Sequence, residues 1–412
     1  MPAVGMVIVG GGECGARAAF ALREGGYAGP VTVIGAEPHL PYERPPLSKE
    51  AMAADEEPAP KTIASAARLA SANIVVLPDT AAEAIDPEAR TVKLVDGVIT
   101  HYDKLLVATG SESRHLPLAG PPGGRIAYLR TFDEAVRIRR ALAAQRHVVI
   151  IGGGFIGLEV AASARRRGAS VTVIEALSRV LSRVVPEEIA AVVDARHRAA
   201  GVKIHCGIGV ARIEEDAHSV AITLSDGHHL AADFLLIGIG AVPVVNIAEV
   251  AGLHVANGIV VDERLRTSDP HIYAAGDCCS FPLSIYGGRR VRLESWRNAQ
   301  DQGGLAARNM LGANEAISTL PWFWSDQYDL TLQIAGLPDE GEHTVRRALG
   351  DDAFILFHLA DDGRLVAASG IGRGNIVAKD IRLAEMLIAE RAYPDPTQLG
   401  APGVKLKTLL AA

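Results

Sequence analysis

The chain has 412 residues, 49% of them hydrophobic, and carries 41 basic against 48 acidic residues for a net charge of −7. At about 100–200 residues per domain this length predicts two to four domains, and a charge without long single-sign runs excludes the basic footprint of bulk nucleic-acid binding. No apolar run approaches the ~18–20 residues of a membrane span, Met1–Gly5 lacks the basic region and cleavage site of a signal peptide, and four scattered cysteines without C-x-x-C or zinc spacing fit a reducing compartment, so a cytoplasmic protein without a metal site is expected.

In chain order, Met6–Val9 is an apolar run read as a strand, Gly10–Gly15 a turn, and Arg17–Glu24 the continuation of a helix stopped by Gly25-Gly26. Val31–Ile34 is the next strand, β-branched and of buried character. Leu105–Ala108 is a short strand ending in Thr109-Gly110. The same grammar then recurs, with His147–Ile151 a strand, Gly152–Gly157 the turn, Leu158–Arg167 a helix and Val171–Ile174 a strand. The two copies lie 142 positions apart, Gly152 minus Gly10. Continuously apolar strands belong to a parallel sheet covered on both faces, so each copy opens a doubly wound α/β domain. Leu235–Ile239 and Ile272–Ala275 are further strands, the latter running into Gly276-Asp277. Ser295–Leu311 forms a helix. Beyond residue 320 the pattern changes to antiparallel strands at Val345–Leu349, Phe354–Leu359 and Leu365–Ser369, with turns at Asp351-Asp352 and Asp361–Gly363.

Gly10-x-Gly12-x-x-Gly15 follows a strand and opens a helix. The first glycine makes the tight turn, the second admits a pyrophosphate, and the third permits close helix–strand packing. Glu37 ends the second strand, placed for a ribose hydroxyl. Gly152-x-Gly154-x-x-Gly157 repeats the arrangement, with Glu175 ending its second strand 23 positions after Gly152. A carboxylate there accepts from a 2′-hydroxyl and repels a 2′-phosphate, which favours NADH over NADPH. Arg179 and Arg183 lie just beyond and temper that preference. Two dinucleotide units call for two dinucleotides, and a flavin is the economical acceptor for a nicotinamide hydride. Ser295 is a candidate N-cap. If its helix points at the flavin, the amides of Trp296 and Arg297 stabilise negative charge there.

Several segments, Tyr42–Lys49, Ala108-Thr109-Gly110, Ala275-Gly276-Asp277, Glu294–Ala299 and Pro321–Asp326, resemble the FAD-dependent NADH:ferredoxin reductase family. That family includes putidaredoxin reductase and the ferredoxin reductases of aromatic-ring dioxygenases. The resemblance spans nearly the whole chain. It implies two Rossmann-like, glutathione-reductase-like domains and a C-terminal α+β domain. Residues 1–112 and 238–319 would bind FAD, 113–237 NAD, and 320–412 would be the third domain. It places Asp277 on a ribityl hydroxyl, Arg44 on the FAD phosphates or adenine, and Thr109 and Gly110 at the same cofactor. Lys49 would sit beside the flavin N5 edge, paired with Glu159 across the domain junction. Trp322-Phe323-Trp324 would lie near the flavin or in third-domain core. Lys49, Glu159, Trp296 and Trp322 are the implied catalytic residues.

The same resemblance implies a [2Fe–2S] ferredoxin as electron acceptor, serving a cytochrome P450 or a Rieske oxygenase. Arg289, Arg290 and Arg292, with Lys405 and Lys407, are candidates for steering it. The C-x-x-x-x-C of disulfide-reducing relatives is missing after the first unit. Cys14 reads as a packing residue, and Cys278-Cys279 as two small residues near a loop rather than a vicinal disulfide. Two alternatives use the same fold: a rubredoxin or monodehydroascorbate-type reductase, and an NADH-responsive signalling flavoprotein resembling apoptosis-inducing factor.

Overall fold

In the computed structural model, residues 4–54, 56–350 and 352–410 are described, so Asp351 of the expected turn and the first three residues lie outside them. The chain separates into two compact units. One gathers residues 1–44, 60–112 and 242–319. The other gathers residues 45–59, 113–241 and 320–412.

The first unit is built on a seven-stranded sheet. Gly5–Val9 lies between Val31–Ile34 and Ile99–Val107, parallel to both, and Ile272–Ala274 extends the parallel side. Ile99–Val107 is long because it serves two pairings. Its first half runs antiparallel to Thr91–Leu94, and its buried second half joins the parallel core. Helix Glu13–Glu24 and helix Trp296–Met310 pack on each other, burying alanines and glycines of both. Gly303 permits this closeness: a Cβ there would stand 2.4 Å from the Cys14 carbonyl oxygen.

The second unit holds a five-stranded parallel sheet in the order Lys203–Cys206, Ser170–Glu175, His147–Ile151, Phe234–Ile237, Ile126–Ala127. A three-stranded antiparallel ribbon, Val210–Glu215, Val220–Leu224 and His229–Ala232, covers one side of its core through Val220, Ile222 and Leu224. Residues 322–373 form an antiparallel sheet in the order Trp322–Gln327, Leu330–Gly336, Leu365–Arg373, Phe354–Leu359, His343–Ala348. Helix Ala378–Ala389 lies across it, and a Cβ on Gly370 would press to 3.1 Å from Ile381 and Val377. The segment 45–59 joins this unit through polar anchors. Arg139 and Arg167 both donate to the Ala54 carbonyl, and Ser163 donates to the Ser48 carbonyl at 2.9 Å.

Most of the expected strands appear with shifts of two residues or fewer at their ends, but the one expected at Leu105–Ala108 begins at Ile99 and the one expected at Leu365–Ser369 runs on to Arg373. Both glycine-turn helices start earlier than their apolar runs, at Glu13 and Phe155, because the last turn residues already have helical geometry. Ser295 is the N-cap of Trp296–Met310, its hydroxyl accepting from the Asn298 amide at 3.3 Å.

Candidate functional site: two nucleotide turns and a buried ion pair

The two glycine turns have nearly the same backbone. Gly10 and Gly152 adopt φ of +126° and +109°. Their amides donate at 2.8 Å to Ile34 and Ile174, the last apolar residue of the neighbouring strand. A Cβ on either would fall 2.0 Å or 2.2 Å from a carbonyl oxygen, that of Ala108 or Gly238. Gly15 and Gly157 are equally obligatory, since a Cβ would stand 2.0 Å or 2.2 Å from the carbonyl oxygen of the turn's own first glycine. The middle glycines differ in kind. A Cβ on Gly12 or Gly154 meets nothing within 4 Å. Each is the N-cap of its helix and offers no side-chain acceptor to the first-turn amides. Open space before uncapped amides at the positive end of a helix fits a pyrophosphate, so both turns fit a dinucleotide.

The carboxylates beside the turns have different partners. Glu37 accepts from the Tyr42 hydroxyl at 2.5 Å and from Arg44 at 2.7 Å, and the Arg44 guanidinium stands 5.3 Å from the Tyr42 ring centre. Glu175 instead accepts two backbone amides, Gly153 at 2.6 Å and Leu177 at 2.8 Å, one on each oxygen. No lysine or arginine pairs with it among the described residues, and each oxygen keeps acceptor capacity for a sugar hydroxyl. Arg179, just beyond Glu175 in the chain, donates to the Val180 and Val185 carbonyls of its own loop. Arg183 is exposed and lies near Gly240.

Around the first turn, Thr109 donates to the Val244 carbonyl at 2.6 Å while the Val244 amide donates to the Gly110 carbonyl. Val244 thus serves this strap through its backbone alone. Gly276, at φ +80°, donates its amide to Gln302, and Asp277 accepts from Ser111 at 3.1 Å. Trp296 opens its helix, half-buried within reach of Glu13. Glu13 was missed by sequence reasoning. It lies inside the glycine turn, accepts from Gln300 at 2.8 Å, and has its other oxygen buried without a partner among the described residues. Burial pushes its carboxyl above the usual range, and an orphaned buried oxygen there suits a donor from a bound group.

Lys49 and Glu159 meet within the second unit, Nζ to Oε1 at 3.2 Å, and Glu159 is only 5% exposed. The strand Trp322–Gln327 runs along helix Phe155–Arg166. Residues two apart on the strand, ~6.8 Å, match residues four apart on the helix, ~6 Å. Phe323 therefore meets Phe155 edge to face at 5.1 Å, and Ser325 donates to Glu159 at 2.6 Å. Ser48 donates to the other Glu159 oxygen at 2.5 Å. On the opposite strand face Trp322 stacks on Trp324 at 5.4 Å, and Lys49 Nζ lies 5.7 Å from the Trp324 ring centre. Trp324, rather than Trp322, is thus the tryptophan over which the lysine sits. Ser48 and Ser325 carried no sequence signal beyond adjacency to Lys49 and to the tryptophans.

All four cysteines are free thiols. Cys14, Cys278 and Cys279 are buried, and burial raises the pKa of each thiol, which makes them packing groups rather than reactive thiolates. Of the proposed steering residues, Arg290 donates to the Val261 and Ser280 carbonyls and Arg292 pairs with Glu294. Arg289, Lys405 and Lys407 are exposed.

Residues 5–303 match the family described as pyridine nucleotide-disulphide oxidoreductase, and residues 322–410 match the reductase C-terminal family. The chain is 43% identical to the ferredoxin–NAD(+) reductase component of the anthranilate 1,2-dioxygenase system of Burkholderia cepacia, over the whole of both chains. It is 37% identical to putidaredoxin reductase of Pseudomonas putida, covering 99% of this chain and 97% of that one. Among solved structures it resembles the covalent putidaredoxin reductase–putidaredoxin complex, with a TM-score of 0.92 at 36% identity, covering 99% and 98%. It resembles the ferredoxin reductase of the CYP199A2 system of Rhodopseudomonas palustris equally, with a TM-score of 0.92 at 36% identity over 98% of each chain. The chain belongs to the pyridine nucleotide-disulphide oxidoreductase family, in its group of FAD-dependent NADH:ferredoxin reductases that carry a reductase C-terminal domain.

Proposed function

We propose that this chain binds FAD and NADH and passes electrons from NADH to a [2Fe–2S] ferredoxin that serves a cytochrome P450 or Rieske oxygenase. The observation that carries this reading is the pair of near-identical glycine turns, each with an uncapped helix start facing open space. One turn is for each dinucleotide. Bound FAD supplies an acceptor that takes two electrons as hydride and returns them singly.

The chain's own residues divide the work. Gly10, Gly12 and Gly15, with Glu37, Arg44, Thr109, Gly110, Gly276, Asp277 and Trp296, hold FAD. Gly152, Gly154, Gly157 and Glu175, with Arg183 at the rim, hold NADH. The unneutralised Glu175 carboxylate repels a 2′-phosphate, so NADH is preferred. Lys49, fixed by Glu159 and packed against Trp324 of the Trp322–Trp324 stack, would supply the positive charge that a flavin gaining electrons calls for. Buried, protonated thiols leave no dithiol relay in this route, so the electrons depart from the flavin. Among the described residues no helix is long and apolar enough to cross a membrane, and we place the protein in the cytoplasm.

The test is spectroscopic. Purified protein is expected to be yellow, to bleach with NADH faster than with NADPH, and to be reoxidised by a [2Fe–2S] ferredoxin faster than by rubredoxin or monodehydroascorbate. A colourless preparation that cannot take up FAD would overturn the reading.

A further inference from the structure

A line of buried polar groups continues from Glu159 away from Lys49. Ser325 Oγ is 2.6 Å from Glu159 Oε1, Gln327 Nε2 is 3.3 Å from Ser325 Oγ, and His197 Nε2 is 2.6 Å from Gln327 Oε1. Ser325, Gln327 and His197 are 1%, 2% and 0% exposed. They come from the strand Trp322–Gln327 and the helix Glu187–Ala199 of the second unit.

Donor and acceptor chemistry gives this line one direction. A carboxylate only accepts, so the single Ser325 proton goes to Glu159. The Ser325 oxygen then accepts, and the amide nitrogen of Gln327 is the donor that reaches it. The Gln327 oxygen is left facing His197, where it must accept, so His197 Nε2 carries the proton. Nδ1 has no partner among the described residues and is buried. A second proton there would be a buried, unsatisfied charge, so the ring is neutral. Desolvation pulls its pKa below the ordinary value, in agreement. The Tyr328 ring, 5.0 Å away and edge-on, and the backbone of helix Glu187–Ala199 hold the imidazole in place.

We infer that Ser325, Gln327 and neutral His197 are positioning residues of the redox site, a one-way donor relay that fixes the Glu159 carboxylate and through it the Lys49 ammonium. The inference rests on the role given to Lys49 and Glu159 above. It extends that role to a histidine of the nucleotide-binding region and to two residues of the C-terminal sheet. Each donor in the line polarises the next toward the carboxylate. Ser48 supplies the second oxygen independently, so losing Ser325 leaves Glu159 partly held rather than free.

Nitrogen NMR of the holoprotein tests the relay without turnover. His197 is expected as the neutral Nε2–H tautomer, and Gln327→Leu is expected to shift that resonance. A neutral Nδ1–H tautomer, or an imidazolium, overturns the inference. Stopped-flow reduction by NADH tests its consequence. Ser325→Ala should slow flavin reduction about tenfold, the loss of one hydrogen bond to a charged group, with NADH affinity unchanged, and Ser325→Thr should restore most of the rate. Glu159→Gln separates the two claims. If it is slow while Ser325→Ala matches the wild type, the relay is wrong and the ion pair stands. If Glu159→Gln is itself as fast as the wild type, the role of the pair falls and the relay's consequence falls with it. Thermal unfolding identifies a variant that has only lost its fold, and Gln327→Leu then carries the kinetic test.

Discussion

The two glycine turns share a backbone and differ in their surroundings. At the first, Glu37 is ion-paired with Arg44 and bonded to a phenol. At the second, Glu175 is held by two neutral amides and stays uncompensated. The residue after the middle glycine differs as well, the half-buried Glu13 at the first turn against Phe155 at the second. In the proposed reading, backbone geometry sets the class of ligand, a dinucleotide, while the charge beside each turn sets which one and how permanently. A carboxylate neutralised by arginine suits a resident cofactor that is never exchanged. A bare one suits a substrate that must be told from its phosphorylated twin.

Three experiments sharpen that contrast. The largest effect is expected within the shared backbone. Gly15→Ala or Gly157→Ala forces a Cβ to about 2 Å from a carbonyl oxygen and should cost about 3 kcal/mol of stability in a denaturant melt. Gly154→Val meets open space. It should leave the melt and the FAD content intact and weaken NADH binding at least about tenfold. If Gly154→Val unfolds the protein instead, the space at that turn is structural.

A smaller effect should follow from Glu175→Ala. The ratio of NADH to NADPH in kcat/KM should shrink about tenfold, close to 1.4 kcal/mol, and Glu37→Ala should leave that ratio alone while lowering FAD retention. An unchanged ratio in Glu175→Ala removes its discriminating role.

The smallest effect concerns Glu13. Burial raises its carboxyl above 4.5, so the folded chain holds a proton that the unfolded chain releases. Stability from this group is therefore present at low pH and lost as pH rises above 4.5 through the raised value. Glu13→Gln should flatten that part of the stability–pH curve, and Phe155→Leu at the second turn should not. Parallel curves for wild type and Glu13→Gln would show that burial does not perturb this carboxyl.

Much of this was legible in the chain itself. A strand, a glycine turn and a helix are local objects, written in apolar runs and in the glycines that alone fit Gly10 and Gly152 at positive φ. That is why both turns, the Ser295 cap and three of the five strands of the C-terminal antiparallel sheet could be read from sequence. The partners of Glu37 were near in sequence but undetermined, because an arginine ten residues past the strand Val31–Ile34 has many places to go. Arg44 reached the carboxylate, and Arg290 and Arg292 turned back onto their own fold.

What only the tertiary structure decided is the set of donors around Glu159. Ser48 lies 111 positions away and Ser325 166 positions away, and neither has a pattern that marks it. Their meeting depends on residues 45–59 joining the second unit through Arg139, Arg167 and Ser163, and on strand Trp322–Gln327 matching its rise to that of helix Phe155–Arg166. Local propensity carries no information about such pairings, because a serine hydroxyl bonds equally well to water until packing removes it. Sequence thus determined that the protein has two dinucleotide turns and which carboxylates flank them. Tertiary packing decided which carboxylate is ion-paired and what holds the lysine.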